Sequence, residues 1–282
     1  MATFTNQATL SYNGSSTNSN VTTGELLEVL SATKTAIIST YTAGSGIAYA
    51  LTILNSGTAP LTDVSVTDDL GAYTLGTETL YPLTYTAGSM RLFINGILQP
   101  APTVTAGPPL TVTGINLPAG ASAIILYEAT ANQYAPLGQA DQITNTATVT
   151  GAGIADAVTV TATVSAASET VLTIAKAICP DVVSDNGQLT YTFIIQNSGT
   201  APADTEAGVS VSDIFTPALS NITVTLDGAP FPATSYTYNE TTGEFSTAPG
   251  DITVPGATYS QAPTGEVTLT PGVTVLKING TV

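Results

Sequence analysis

"ATKTAIISTYTAGSGIAYALTILNSGTAP" runs from Ala32 to Pro60, and "IAKAICPDVVSDNGQLTYTFIIQNSGTAP" runs from Ile174 to Pro202. Laid together, Lys34 falls on Lys176, Tyr49 on Tyr191 and Asn55 on Asn197, each pair 142 residues apart. Self-similarity at a fixed offset marks a duplicated structural unit. Within each copy, short runs such as "IAYALTIL" and "YTFIIQ" are rich in β-branched and aromatic residues. Turn chemistry follows at "NSGTAP", so these runs read as strands.

The match extends outward. "VSVTD" ends at Asp68 and "VSVSD" at Asp213, now 145 apart after a small insertion. "LPAGASAIILYEAT" (Leu117 to Thr130) resembles "LTPGVTVLKINGTV" (Leu269 to Val282). "RLFINGILQP" predicts a hairpin turning at Asn95-Gly96. No window holds a helical period, and no apolar run is long enough to span a membrane. The pattern predicts an all-β chain of two tandem Greek-key β-sandwiches. Residues 1–30 are expected to be an N-terminal donor strand and linker, 31–165 the first sandwich, and 166–282 a second sandwich that lacks its closing strand.

Composition agrees with this class. Charged residues are 9% of the chain and apolar residues 43%, too apolar for an acidic disordered tail. The net charge of −16 argues against binding nucleic acid or anionic membranes and favours solubility. One cysteine, Cys179, excludes an internal disulfide and is expected to be a free, half-buried thiol. No basic segment followed by an apolar one precedes Thr3. The sequence therefore predicts a mature form or release by another route, such as lysis of the producing cell.

Together these motifs resemble the conserved-repeat domain of prokaryotic surface proteins. They comprise the lysine near the first strand, Tyr-x5-Asn-Ser-Gly-Thr-Ala-Pro, Val-Ser-Val-Thr/Ser-Asp, Pro/Ala-Gly before the penultimate strand, and Thr-Asn-x-Ala-Thr near the end. The resemblance covers nearly the whole chain, twice. It implies an immunoglobulin-like sandwich used in surface stalks, adhesins and fibres, including endospore surface and appendage fibre subunits.

The phase of the repeat is informative. "ITNTATVT" (Ile143 to Thr150) closes the first copy, whereas the second copy stops at Val282 before any such segment. "FTNQATLS" (Phe4 to Ser11) matches it from the N-terminus, with no domain in front. An open sandwich exposes unpaired backbone groups, and an extended segment from another chain can fill the gap by strand addition. Such a contact is heterologous and can propagate as an open filament. Phe4, Asn6, Ala8, Leu10 and Tyr12 form the expected inward face of the donor strand. Two other arrangements compete: the strand folding back onto its own second domain, and the chain being a piece of a longer array.

Residues i and i+2 of a strand share a face. Lys34 alternates with Leu30, Ala32, Ala36 and Ile38, and Lys176 with Leu172, Ile174 and Ile178. Asp68 alternates with Val64, Val66 and Leu70, and Asp213 with Val209, Val211 and Phe215. Asn145 lies with Ala147 and Val149, and Asn6 with Ala8 and Leu10. All six polar residues are expected to face inward. One solution is an ion pair with the asparagine as hydrogen-bond partner. The other is covalent: a neutral lysine attacks the asparagine carboxamide, the aspartate shuttles protons, and ammonia leaves. The trio resembles the isopeptide-forming sites of Gram-positive pilin and adhesin domains. On that pattern Lys34 joins Asn145, assisted by Asp68. Lys176, assisted by Asp213, joins Asn6 of the next subunit, with Asn279 the in-chain rival.

Other chemistries find little support. The chain has no histidine, hence no imidazole base and no usual zinc site. "DVVSDNG" (Asp181 to Gly187) departs from calcium-loop spacing and reads as a turn. Glu25 and Glu28 read as solvated, and Tyr73, Tyr81 and Tyr85 as packing rather than a sugar platform. No cofactor and no metal is expected. The sequence therefore predicts a non-enzymatic structural protein: a head-to-tail homopolymer forming an extracellular fibre on a spore or cell surface, with an anchor protein as a further partner. The competing reading is an adhesin or surface-stalk binding module.

Overall fold

A computed structural model describes residues 2–26, 28–152, 154 and 156–282, more than half of them in strands. The chain divides into two compact units. One holds the residues up to Asn132 together with Ile143–Val164, and the other holds Gln133–Gln142 with Ser165–Val282.

The first unit is a two-sheet sandwich. One sheet runs Ile97–Leu98, Arg91–Ile94, Ser122–Ala131, Gly46–Asn55, Leu30–Ala36, with Leu83–Tyr85 also paired to Ser122–Ala131. The other runs Thr103–Thr105, Leu110–Leu117, Leu61–Asp68, Gln142–Ala152, Val158–Ala166, Thr40–Tyr41. Strict alternation decides which side chains go inside. In Gly46–Asn55, Ile47, Tyr49, Leu51 and Ile53 are buried, and in Gln142–Ala152, Ile143, Ala147 and Val149 are buried. The Asn95-Gly96 hairpin forms as expected, both residues at positive φ.

The repeated "NSGTAP" has a structural reason. Asn55 is fully buried. Its Oδ1 accepts from the Gly57 N–H at 3.0 Å and its Nδ2 donates to the carbonyls of Ala59 and Pro118. Asn197 does the same in the second unit, accepting from Gly199 and donating to Ala201. A buried amide thus satisfies backbone groups that the turn leaves without ladder partners.

In the second unit, a five-stranded sheet runs Leu172–Cys179, Gln188–Asn197, Gly272–Thr281, Ser220–Leu226, Ala229–Pro230. It packs with a three-stranded sheet, Ser212–Ile214, Glu244–Thr247, Tyr236–Tyr238, around Phe193, Ile195, Phe215, Phe245, Leu276 and Ile278.

The N-terminal segment departs from expectation. Residues 13–30 are not a bare linker. Ala2–Asn6 pairs with Thr22–Leu26, and Thr9–Tyr12 with Ser15–Asn18, forming a two-stranded ribbon. The cause is local: Asn13-Gly14 adopts positive φ at both residues, the turn that matches strand twist. Phe4, Leu10 and Tyr12 are each about three-fifths exposed on it.

Candidate functional site

In the first unit the structure gathers Lys34, Asp68 and Asn145 into one buried cluster. Lys34 projects from the edge strand Leu30–Ala36 of one sheet. Asp68 ends the strand Leu61–Asp68 of the other, and Asn145 comes from Gln142–Ala152 beside it, where Ala147 pairs with Asp68. The Lys34 Nζ donates to Asp68 Oδ2 at 2.7 Å, both side chains essentially inaccessible. Asp68 Oδ1 accepts from the Leu70 N–H at 3.0 Å.

Two tyrosines complete the cluster. The Tyr127 hydroxyl donates to Asp68 Oδ2 at 2.5 Å and accepts from Asn145 Nδ2 at 3.1 Å, so it bridges acid and amide. Tyr49 stacks on Tyr127 with ring centroids 5.4 Å apart, and the Lys34 ammonium lies over the Tyr49 ring. Among the described residues, Asn145 Oδ1 and the Tyr49 hydroxyl are buried without a hydrogen-bond partner. Burial pushes the Lys34 pKa below its ordinary value, and Asp68 only partly offsets this. Burial and the Asp68 carboxylate push the Tyr127 hydroxyl well up, so it stays protonated and able to donate.

Chemically, the cluster offers a lysine biased toward its neutral form, a carboxylate placed to take its proton, and a carboxamide whose oxygen has no donor. Sequence reasoning missed Tyr127 and assigned Tyr49 no role. The signal was present: period-2 alternation puts Tyr127 on the face of Ile125 and Ala129, both buried.

The equivalent place in the second unit differs. Lys176 pairs with Asp213 and lies over the rings of Tyr191, Phe193 and Phe215. Its side chain is 40% exposed, against 0% for Lys34. The expected burial of Lys176 is therefore corrected. Every residue of Leu172–Cys179 is exposed, including Ile174 at 58%, and Cys179 is exposed rather than half-buried. The physical reason is the vacant neighbouring position. In the first unit, Leu61–Asp68 is flanked on both sides, by Leu110–Leu117 and Gln142–Ala152. In the second, Ser212–Ile214 pairs with Glu244–Thr247 and stands at the sheet edge among the described residues. A backbone group records the change. The Asp69 N–H donates to the Thr146 carbonyl at 2.9 Å. Its counterpart, the Ile214 N–H, turns instead to the Asp213 carboxylate. Beside this edge, Leu172, Ile174, Ile195, Val209 and Val211 line an open apolar groove.

Asn279 lies on the opposite face of its strand from Ile278 and donates to Thr190 Oγ1, away from Lys176. Ile278 pairs with Tyr191 where Tyr127 pairs with Tyr49, so the second unit has isoleucine in place of the bridging phenol. Asn6 is exposed on the N-terminal ribbon, not turned into a core. Ala8 is exposed there too. Among the described residues no cluster of histidine, cysteine or acidic side chains has a metal-binding arrangement.

No family model matches the chain, and no curated protein matches it. Among solved structures it is similar to the pilus backbone RrgB of Streptococcus pneumoniae, at 12% identity and a TM-score of 0.36, covering 86% of this chain and 55% of that one. It is similar to the major pilin subunit BcpA of Bacillus cereus at 13% identity and a TM-score of 0.38, over 86% of this chain and 66% of that one. The collagen-binding subdomain of the Enterococcus faecalis surface protein ACE covers half of this chain and 99% of its own length, at 12% identity and a TM-score of 0.32. The chain thus spans about half the length of the pneumococcal backbone it matches.

Proposed function

We propose that this chain is the subunit of an extracellular fibre on a cell or spore surface. In this reading the N-terminal segment of one molecule completes the second unit of the next. One observation carries it: the edge of Ser212–Ile214 and its apolar groove stand open where Gln142–Ala152 fills the first unit. The Thr-Asn-x-Ala-Thr core of "ITNTATVT" recurs in "FTNQATLS", whose Phe4 and Leu10 are exposed. Apolar side chains on a two-stranded ribbon gain little stability alone and favour a partner.

Amide formation would then lock both kinds of site. The Lys34 ammonium passes a proton to Asp68, and the neutral amine attacks the Asn145 carboxamide carbon. A new C–N bond forms as the old one breaks. The amine's second proton goes through the carboxyl group to the leaving nitrogen, which departs as ammonia. Lys176, Asp213 and an incoming Asn6 repeat the chemistry between molecules.

Electron microscopy and hot detergent electrophoresis test this reading. Full-length chain should give filaments that run as a ladder. Deleting residues 2–12 should leave soluble monomers, and Asn6→Ala should give filaments that fall to monomers in hot detergent. Normal filaments from the deletion would end the donor reading. An unmodified Lys176 in the mass spectrum of wild-type filaments would leave the ionic pair in place of the amide.

A further inference from the structure

The donor need not be a single strand. In the first unit, Gln142–Ala152 does not enter its sheet alone, since Val158–Ala166 follows it as the next strand outward. Cross-strand contacts between Thr144 and Thr163 (3.0 Å) and between Thr148 and Thr159 (3.4 Å) fix the register. Ile143 therefore faces Val164, and Asn145 faces Ala162. All four are buried, so the second strand supplies core as well as the first.

The N-terminus repeats this plan. Its first strand turns at Asn13-Gly14, and its second leads into the lysine strand Leu30–Ala36, as Val158–Ala166 leads into Leu172–Cys179. On the ribbon, Phe4 pairs with Gly24 and Asn6 with Thr22, so each pair shares a face. Phe4 occupies the place of Ile143, and Gly24 that of Val164. The Phe4 ring lies where a side chain on Gly24 would have to stand. A larger residue on the first strand is thus matched by the smallest on the second, as volume conservation in one packed layer requires.

We propose that the whole ribbon, residues 2–26, docks onto the second unit of another copy and adds two strands beyond Ser212–Ile214. Residues 2–12 pair with that edge, residues 15–26 form the new outer strand, and Thr22 and Gly24 face the acceptor core beside Asn6 and Phe4. The inference rests on the donor reading and extends it to a segment that reading leaves as a connection.

Three substitutions in the full chain, scored by critical concentration for filament growth, separate the two ideas. Leu10→Lys places a charge on the first strand where its counterpart Val149 is buried. Thr22→Lys does so on the second strand, facing inward only if the ribbon docks whole. Thr23→Lys is the outward control. All three positions are exposed in the free chain, so folding of the monomer is not at stake. The ribbon model expects Leu10→Lys and Thr22→Lys to raise the critical concentration by at least about 100-fold, and Thr23→Lys by no more than about twofold. Hydrogen exchange should show residues 15–26 protected in filaments together with residues 2–12. Growth of Thr22→Lys at the wild-type concentration, with Leu10→Lys blocked, overturns the ribbon and leaves a single donor strand. Undisturbed growth of Leu10→Lys overturns both.

Discussion

Lys34 and Lys176 stand at the same place in two copies of one motif, each paired with the aspartate of its own copy and set over a tyrosine ring. Lys34 is sealed from water, whereas Lys176 is not. Nothing in the lysine strands accounts for this. The difference lies in the opposite sheet, where one aspartate strand has a neighbour on both sides and the other has one. Burial of a strand residue is set by the strand across the core, and among the described residues Ser212–Ile214 has no neighbour on the side where Gln142–Ala152 flanks Leu61–Asp68.

The sharpest way to break the contrast is to supply a strand for the edge of Ser212–Ile214. Appending a copy of residues 142–166 after Val282 through a flexible linker should fill the groove from within. Filament growth should stop altogether, seen by light scattering and microscopy. The second unit should melt more than about 10 °C higher, since domains between about 100 and 150 residues shift roughly 3–5 °C per kcal/mol. A grafted chain that still polymerises would show that the open edge is not the joint.

Next in size is removal of the proposed lock in the closed unit. Asn145→Ala removes the acceptor of that amide, so the one-ammonia deficit expected of the wild type should disappear. By chain-entropy reasoning for a covalent loop of about 110 residues, it should lose roughly 4–5 kcal/mol, read from urea midpoints. Tyr127→Phe should cost less, about 1–3 kcal/mol for the lost bridge, and should slow the Lys34–Asn145 bond. The intermolecular ladder should be unaffected, because Ile278 already stands at the corresponding position. A ladder that weakened with Tyr127→Phe would break the comparison.

The smallest effect is a pH slope. Burial holds the Lys34 pKa below its ordinary value, so the unfolded chain keeps that proton to higher pH than the folded one. Stability of the unbonded Asn145→Ala chain should therefore rise with pH once the lowered value is passed, by at most about 1.4 kcal/mol per unit. The rise should be read below pH 10. Above about 10 the raised tyrosine values act in the opposite sense, because the unfolded chain loses those protons first. The proposed amide would remove Lys34 from titration in the wild type, so there the slope should vanish.

Much of this was legible in the sequence. Period-2 alternation was enough to place Lys34, Asp68 and Asn145 on inner faces, and the repeat with its turn residues was enough for the β-sandwich class. What was not legible depends on partners distant in sequence. The same alternation turned Lys176 toward an inner face but could not show whether anything covers that face. Asn279 and Ile278 differ by one position, so which of them faces the lysine is set by register with Tyr191. The Asn13-Gly14 turn was readable by the rule applied at Asn95-Gly96. The ribbon was missed because the residues around it are polar and alternate weakly.

The placement of the lysines on first strands and the asparagines on closing segments also has a mechanical consequence. With both amides formed, tension along a fibre enters a molecule at Asn6, reaches Lys34 through the 27 residues between them, and crosses directly to Asn145. It then passes the 30 residues between Asn145 and Lys176 and leaves through the next Asn6. Residues 35–144, most of the first sandwich, and the second unit beyond Lys176 lie off this path, while the two strands Gln142–Ala152, from Asn145 onward, and Val158–Ala166 lie on it. The covalent route between successive molecules can extend to roughly 200 Å, against about 950 Å for the whole chain drawn straight. Such a fibre would resist first through the ribbon and the strands on this route and stiffen sharply once they were drawn straight, with residues 35–144 shielded from the pull by the Lys34–Asn145 bond.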